Sequence, residues 1–305
     1  MHRPPLDPAA TLALTVAVLA VSTSAPLIAF AAAAPALAIA FWRNALAVGV
    51  LGPVSLIARR RELTGLTRRE GRFATLAGLA LAVHFAAWTP SVRFTTVAAS
   101  TALVATQPVW QGLISAAQGR RLRTVTWVGI GVAVLGAVLA TGADFGVSTR
   151  AVVGDLLAVV GAIMGATYTA FGERARATLS TTTYTTICYG VCALVLLVIC
   201  LAGGVELGGY PGSTWLAILG LVAGAQLLGH TMFNYALRRV SATTVSVLIL
   251  LEVPGAALIA WLWLDQVPPL ATLPGLALLL AGVAIVVLGG AHANRRERAL
   301  AAALP

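Results

Sequence analysis

Residues 95–111 read TTVAASTALVATQPVWQ, and 146 positions later residues 241–257 read SATTVSVLILLEVPGAA. Both stretches begin with Thr, Ser or Ala and carry a proline at the same place. The same offset, applied without a gap, pairs further like residues: Gly78 with Gly224, Leu81 with Leu227, His84 with His230, Arg93 with Arg239, Ser100 with Ser246, Pro108 with Pro254, Gly129 with Gly275 and Gly136 with Gly282. Chance alignment of apolar segments would match Leu and Ala rather than His, Arg and Pro. The sequence therefore contains an internal repeat.

The composition is that of a membrane protein. Of the 305 residues, 59% are hydrophobic and 10% are charged, whereas soluble domains have about 25% charged residues. The mean hydropathy is +0.92. Such a chain has too little polar surface to cover itself in water, and its length fits about ten spans of about 20 residues. The net charge of +10 comes from arginines in short loops, so nucleic-acid binding is not expected.

Hydropathy windows predict ten membrane spans. They cover residues 11–30, 37–57, 73–88, 97–117, 125–141, 152–171, 183–202, 215–237, 242–264 and 270–288. The first apolar stretch is too long for the core of a signal peptide, so we expect an uncleaved first helix.

Arginines are distributed unevenly over the loops between these spans. Arg93 and Arg150 lie on one side, and Arg43 lies within a span. Seventeen lie on the other side: Arg3, Arg59, Arg60, Arg61, Arg68, Arg69, Arg72, Arg120, Arg121, Arg123, Arg174, Arg176, Arg238, Arg239, Arg295, Arg296 and Arg298. Because basic residues collect in cytoplasmic loops, we expect a bacterial inner-membrane protein with both termini in the cytoplasm.

The repeat contains five spans, an odd number, so its second copy inserts with the opposite orientation. The predicted fold is an all-α integral membrane protein, with ten transmembrane helices as two inverted five-helix repeats around a central cavity. The repeats cover residues 1–147 and 148–305 and together form one membrane domain. Two inverted halves can alternate between inward-open and outward-open packings around a midplane site. A channel or a scaffold is the alternative.

Polar side chains recur at helical spacing inside three predicted spans. They are Gln226, His230 and Asn234 in the eighth span, Gln107, Gln111 and Ser115 in the fourth, and His84 and Trp88 in the third. Residues four apart share a helix face, and polar groups within a membrane are costly and mark a pathway or a pair. The stripes predict a hydrated, substrate-binding cavity. Hydrogen bonds that only hold the bundle together are the alternative.

Two ionisable residues stand inside their spans. Glu252 is a carboxylate near the middle of the ninth span, and Arg43 is the arginine inside the second. Glu252 is a candidate for binding a substrate ammonium or a coupling proton, and Arg43 for holding a substrate carboxylate. Alternatively the two form an ion pair, which is the interpretation we favour for Arg43. Pro108 and Pro254 mark candidate helix breaks or hinges, because proline removes a backbone hydrogen bond.

Histidines and large aromatic residues complete the candidate site. His84 and His230 are candidates for a proton relay, since imidazole titrates near neutral pH; packing residues in a helix interface are the alternative. Trp110 and Tyr168 lie where an aromatic wall would shape the cavity. Tryptophans near span ends indicate an interfacial belt; they are Trp88, Trp215, Trp261 and Trp263.

Two motifs occupy equivalent places in the repeat, each after a helix start rich in Thr, Ser and Ala. They are Gln107-Pro108-Val109-Trp110 and Glu252-Val253-Pro254-Gly255. With the repeat and the chain length, this pattern resembles the EamA type of the drug/metabolite transporter superfamily over essentially the whole chain. The resemblance implies a ten-helix carrier whose relatives commonly export amino acids or related metabolites. Where such proteins often have a tryptophan, the first span has Ser22-Thr23-Ser24, and we include Ser24 among the candidate substrate-binding residues.

The sequence as a whole predicts a secondary transporter that exports small polar metabolites, with amino acids as the first candidate. Its expected partners are the substrate, the lipid bilayer and protons, and the chain is expected to be a monomer. Efflux of drugs or lipophilic compounds is an alternative. So is exchange of sugar phosphates or nucleotide sugars, although one intramembrane arginine is few for phosphates. An intramembrane transferase is disfavoured by the scattered acidic residues, and neither enzymatic activity nor a cofactor or metal is expected.

Overall fold

The computed structural model describes residues 8–95, 97–120, 122–140, 148–264, 267, 270 and 273–302. Within these residues all regular structure is helical, and no strand is formed. Residues 141–147, which precede the predicted boundary between the repeats, lie outside the described residues, as do Arg3 and Arg121.

The described chain forms helices α1 to α15. Their bounds are α1 Pro8–Val21, α2 Ser24–Phe30, α3 Ala36–Ala58, α4 Arg60–Thr64, α5 Arg68–Phe94, α6 Val97–Val104, α7 Gln107–Ala117, α8 Thr124–Ala140, α9 Thr149–Ala175, α10 Thr181–Ala202, α11 Gly212–Leu221, α12 Thr231–Ala236, α13 Ala242–Ile249, α14 Glu252–Leu264 and α15 Leu273–Ala302. A π-helical segment, Val222–His230, joins α11 to α12.

Seven helical segments in the described part of the chain are long and apolar enough to cross a membrane. They are Pro8–Phe30, Ala36–Ala58, Arg68–Phe94, Thr149–Ala175, Thr181–Ala202, Gly212–Ala236 and Ala242–Trp263. The fifth and tenth predicted spans correspond to shorter apolar helices, Thr124–Leu139 and Leu273–Val286, and the fourth corresponds to the α6–α7 pair. An all-helical, multi-spanning fold is confirmed, and the count of ten crossings stays a prediction.

Hydroxyl side chains fix where several of these helices begin. Thr67 and Glu70 form a capping box at the start of α5, and Ser148, Ser180 and Ser241 cap α9, α10 and α13. Each cap accepts a backbone N–H that has no partner within the helix. The capping box makes α5 begin before the predicted span at residues 73–88, and the helix also continues past that span to Phe94.

Equivalent helices of the two repeats pack antiparallel. A Cβ atom on Gly129 would lie 2.9 Å from the carbonyl oxygen of Gly282, and one on Gly136 would lie 2.7 Å from that of Gly275. These contacts bring the backbones of α8 and α15 together, which glycine allows because it has no side chain. As the chain advances along α8, its contacts move backwards along α15. This is the arrangement that an inverted repeat predicts.

Loops assigned to the same side of the membrane lie at the same end of the bundle. Glu62, between α3 and α5, accepts a hydrogen bond from Thr183 at 2.9 Å, at the start of α10. Arg120, after α7, forms an ion pair with Glu173, near the end of α9, at 2.7 Å. At the opposite end, Arg93 donates to the carbonyl oxygen of Ala31 at 2.9 Å. The loops that are rich in arginine therefore meet at one end.

Candidate functional site

Both predicted break positions fall at interruptions of equivalent helices. A two-residue interruption separates α6 from α7, and another separates α13 from α14. Pro108 and Pro254 lie in the first turn of the second helix in each case. Their rings cannot fit in the interior of a continuous helix, where they would clash with the preceding turn. Gln107 and Glu252 are consequently the first residues of α7 and α14.

A cavity lies beside these two interruptions. It is lined by Val21, Ser24, His84, Trp88, Val104, Gln107, His230, Phe233, Ile249 and Glu252. Its volume is about 420 Å³, which includes space open to solvent.

The ring of His84 is held in one tautomer at this cavity. Its Nδ1 lies 2.8 Å from the carbonyl oxygen of Gly161. A carbonyl only accepts, so Nδ1 carries the proton and donates, which leaves Nε2 of the neutral ring as an acceptor. The ring stacks on Trp88 with 5.8 Å between centroids and lies 6.5 Å from the ring of His230. The two histidines of the repeat are therefore neighbours.

Gln107 joins the cavity to helices of the second repeat. Its Nε2 donates to Oγ1 of Thr169 on α9 and to Oγ of Ser246 on α13, both at 3.2 Å. A Cβ atom on Gly165 would lie 2.7 Å from Gln107 Oε1 and 3.1 Å from His84 Nδ1. A glycine at this point of α9 therefore lets both side chains approach it.

Arg43 is fully buried and bonds to neutral groups, one of which, Ser24, lines the cavity, whereas Arg43 itself is not among the lining residues. Its Nε donates to Gln226 Oε1 at 2.9 Å, and its Nη1 donates to Ser24 Oγ at 3.3 Å. The guanidinium carbon lies 4.1 Å from the ring centroid of Phe85. Nη2 has no hydrogen-bond partner among the described residues. One donor of a buried cation is thus left free.

The direct ion pair between Arg43 and Glu252 that the sequence favoured is not formed, and that interpretation is wrong. The reason is that α3 packs on the π-helical segment, whose Gln226 offers an amide oxygen to the guanidinium. Glu252 is 8% exposed, and its carboxyl group has no hydrogen-bond partner among the described residues. Ser24 accepts a hydrogen bond from Arg43 and lines the cavity together with Glu252.

The three polar residues of the eighth span do not all line the cavity. His230 lines the cavity. Gln226 instead bonds to Asn44 at 3.1 Å as well as to the buried arginine, and Asn234 donates to Tyr168 Oη at 2.6 Å. The π-helical segment is the physical cause, because its wider turn rotates successive residues away from the spacing of an α-helix. Gln226, Asn234 and Tyr168 therefore form a polar layer behind the cavity.

Of three further candidates, Trp110 and Gln111 lie outside the cavity lining, and Trp88 is part of it. Trp110 donates to Oγ1 of Thr106 on its own chain segment at 3.3 Å. Gln111 is fully buried and donates to Ser115 at 3.4 Å. Trp88 is 3% exposed, so its assignment to the interfacial belt is wrong, because α5 continues past it to Phe94. Its assignment to the candidate site agrees with its place in the lining.

Sequence reasoning missed the apolar part of the lining, which consists of Val21, Val104, Phe233 and Ile249. Nothing distinguishes these residues from the lipid-facing apolar residues of the same spans. Ser246, the hydrogen-bond partner of Gln107, could have been identified as a candidate from the sequence, because the repeat pairs it with Ser100. No group of three or more His, Cys, Asp or Glu side chains that could hold a metal occurs in the described part of the chain.

The fold and the cavity define a multi-pass helical membrane protein with a small polar site between interrupted helices. The sequence matches the model of the EamA-like transporter family twice, over residues 8–142 and 152–288. The chain belongs to the EamA-like transporter family. It is therefore a membrane transporter of small molecules, as the resemblance implied, and the family is one of transporters rather than enzymes.

Solved structures agree with this fold. One crystal structure matches with a TM-score of 0.75 and 22% sequence identity, covering 92% of this chain and 96% of that chain. It is one of 29 chains of solved structures that match. At this identity the similarity shows the fold alone. No curated protein matches the sequence.

Proposed function

We propose that the protein exports small zwitterionic metabolites, with amino acids as the first candidates, through this cavity. The observation that carries the proposal is a buried cation and a buried carboxyl group that interact electrostatically without forming an ion pair. Glu252 lines the cavity, Arg43 keeps a free Nη2 donor, and Ser24, which bonds to Arg43, lines the cavity as well.

Charge complementarity supports a zwitterion. Buried charges are costly and are normally paired with each other, so a ligand that carries both opposite charges would account for a buried cation and a buried carboxyl group that do not pair directly. An ionised Glu252 would attract the substrate ammonium, and aromatic residues such as Trp88 and Phe233 in the lining are compatible with a cation. The free donor of Arg43 would hold the substrate carboxylate.

The two-repeat architecture supports alternating access as the mechanism. In this proposal residues 1–147 and 148–305 are the two moving halves, and Pro108 and Pro254 act as hinges beside the site. Export and cytoplasmic termini in a bacterial inner membrane are the expectations from the resemblance and from the arginine distribution. Proton coupling and a monomeric state stay predictions from the sequence.

Efflux of lipophilic amines is a second candidate function. The observation that favours it is the apolar share of the lining, which places Phe233 and three aliphatic side chains beside Glu252. Such a substrate would need the carboxyl group of Glu252 but not the guanidinium of Arg43.

The test uses purified protein in proteoliposomes and three matched sets of labelled solutes. These are amino acids, the amines that lack their carboxylates, and the acids that lack their amino groups. Glu252→Gln should weaken transport of amino acids and amines by roughly 10- to 100-fold, the value of a hydrogen bond to a charged group, and Arg43→Gln should weaken transport of amino acids only. Glu206→Gln, at an exposed position, is the matched control. Inside-out and right-side-out vesicles give the direction.

The outcomes separate the candidates. Movement of amines but not amino acids, insensitive to Arg43→Gln, would replace the first proposal by the second. If folded protein moves none of the solutes, both are rejected. If Arg43→Gln fails to fold, Arg43→Lys, which keeps the charge, replaces it in the transport assay.

A further inference from the structure

Three arginines converge on one buried phenyl ring at the end of the bundle where the basic loops meet. The guanidinium carbons of Arg69, Arg72 and Arg174 lie 5.9, 5.5 and 5.5 Å from the ring centroid of Phe73. The three arginines are exposed, whereas Phe73 is buried and packs on Phe171. Two of the arginines come from the start of α5 and one from the end of α9. Antiparallel packing of these helices therefore assembles the cluster from both repeats.

The cluster has no carboxylate partner among the described residues. The two acidic side chains next to it in sequence are engaged elsewhere, Glu70 with Thr67 in the capping box of α5 and Glu173 with Arg120. The distances to the shared ring mean that no two guanidinium carbons are more than about 11 Å apart. This upper limit is near the Debye length of about 8–10 Å, so salt screens the three like charges from one another only in part. An external anion would relieve that repulsion.

An apolar stripe continues from the cluster along α5. Leu79 and Val83 lie seven and eleven residues after Arg72, on the same helix face. They are 41% and 42% exposed. Because α5 is long and apolar enough to cross a membrane, this stripe faces lipid tails, and the arginines stand at the boundary between lipid and water.

We propose that the cluster of Arg69, Arg72 and Arg174 binds the phosphate of an anionic glycerophospholipid, whose acyl chains lie along Leu79 and Val83. Guanidinium groups bind phosphate oxygens with paired hydrogen bonds. Basic clusters at the ends of membrane helices attract anionic headgroups. A lipid fits better than a soluble phosphate because the apolar stripe begins about two turns from the cations. The bound lipid connects a helix of the first repeat with a helix of the second.

The test is a lipid titration of the full-length, delipidated protein in detergent, read by native mass spectrometry. Phosphatidylglycerol is the probe, and phosphatidylcholine with the same acyl chains is the reference. The triple variant Arg69→Gln/Arg72→Gln/Arg174→Gln should bind phosphatidylglycerol roughly 10- to 100-fold more weakly than the parent and phosphatidylcholine equally well. The control is Arg59→Gln/Arg60→Gln/Arg61→Gln, which removes three exposed arginines of the same end that do not contact the ring. It should bind like the parent.

Three results would overturn the proposal. Equal losses in the two triple variants would mean a general effect of surface charge. Unchanged phosphatidylglycerol binding in the cluster variant would exclude the site. Displacement of phosphatidylglycerol by inorganic phosphate at comparable concentration would show a soluble-anion site instead. The triple Arg→Lys variant keeps the charges, and its affinity for phosphatidylglycerol should lie between those of the parent and the Gln variant. It can be measured in place of the Gln variant if that variant is unstable. The readout is lipid retention, so the result does not depend on the transported substrate.

Discussion

Gly255→Ala tests the contact that places α14, and with it Glu252, against the first span. Gly255 lies one residue after Pro254, and Ser22 lies in the turn between α1 and α2. A Cβ atom on Gly255 would be 2.1 Å from Ser22 Oγ and 2.7 Å from Ser22 Cβ. The hydroxyl is itself held by the carbonyl oxygen of Val18 at 2.8 Å. Ordinary van der Waals contact begins near 3.4 Å, so one element must move by about 1 Å.

The expected cost follows from that displacement. Overpacking of a well-packed interface costs about 1–3 kcal/mol in the free energy of unfolding. For a chain of 305 residues the melting temperature falls by roughly 1.5–2 °C per kcal/mol. Gly255→Ala should therefore lower Tm by several degrees. It should also reduce transport, because the start of α14 carries Glu252 into the cavity.

A double-mutant cycle identifies the cause. Ser22→Gly removes both atoms that the new methyl group would meet, and glycine is tolerated in a turn. The double variant should regain most of the lost stability, so that the two changes are not additive. Gly190→Ala in α10 is the control, since nothing lies within 4 Å of its Cβ position; it should be neutral or stabilising. A parental Tm for Gly255→Ala, or no rescue by Ser22→Gly, would refute the packing argument.

Three further measurements test the rest of the structure. Burial opposes ionisation of Glu62, but hydrogen bonds from the first turn of α10 outweigh it and hold its pKa below the ordinary 4.5. The Tm difference between parent and Glu62→Gln should therefore be largest near pH 7 and shrink as the pH falls through that lowered pKa; a constant difference would contradict this. Arg120→Ala should cost about 0–1 kcal/mol, because its side chain is 47% exposed and surface ion pairs are weak. Glu173→Ala should cost more in the same unfolding assay, since Glu173 also accepts a backbone N–H at the start of α13; equal costs would contradict that role. Gly136→Ala would place a Cβ atom 2.2 Å from a backbone nitrogen of α15, and Tm should fall by several degrees, whereas Gly131→Ala, with nothing within 4 Å, should leave it unchanged.

The hydropathy and the repeat were sufficient to predict the class of fold. Apolar runs of about 20 residues have few structures available to them other than membrane helices. The matching of His84 with His230 and of Pro108 with Pro254 indicated two related halves before any contact was known. The arginine pattern sorted the loops into two groups, and the structure brings loops of each group together at one end of the bundle. Hydropathy, the repeat and the charge of the loops are properties of short or periodic segments, so they can be predicted from the sequence alone.

Several lining residues could also be predicted, because a polar side chain inside an apolar span is expensive and needs an explanation. Ser24, His84, Gln107, His230 and Glu252 all line the cavity. Periodicity shows which residues share a face of a helix, but it does not show which helix packs against that face. The polar residues of the fourth span, Gln107, Gln111 and Ser115, are an example. Gln107 enters the cavity, whereas Gln111, one turn on, turns to its own helix.

Only the tertiary structure decided which groups meet. The pairing of Arg43 with Gln226 rather than Glu252 joins residues 183 positions apart, and it depends on how α3 packs against the π-helical segment. That segment redirects Asn234 towards Tyr168, and no residue in it marks the wider turn. A helix face is a property of a dozen neighbouring residues, whereas this cavity is lined by residues of five predicted spans and depends on the angles at which they cross.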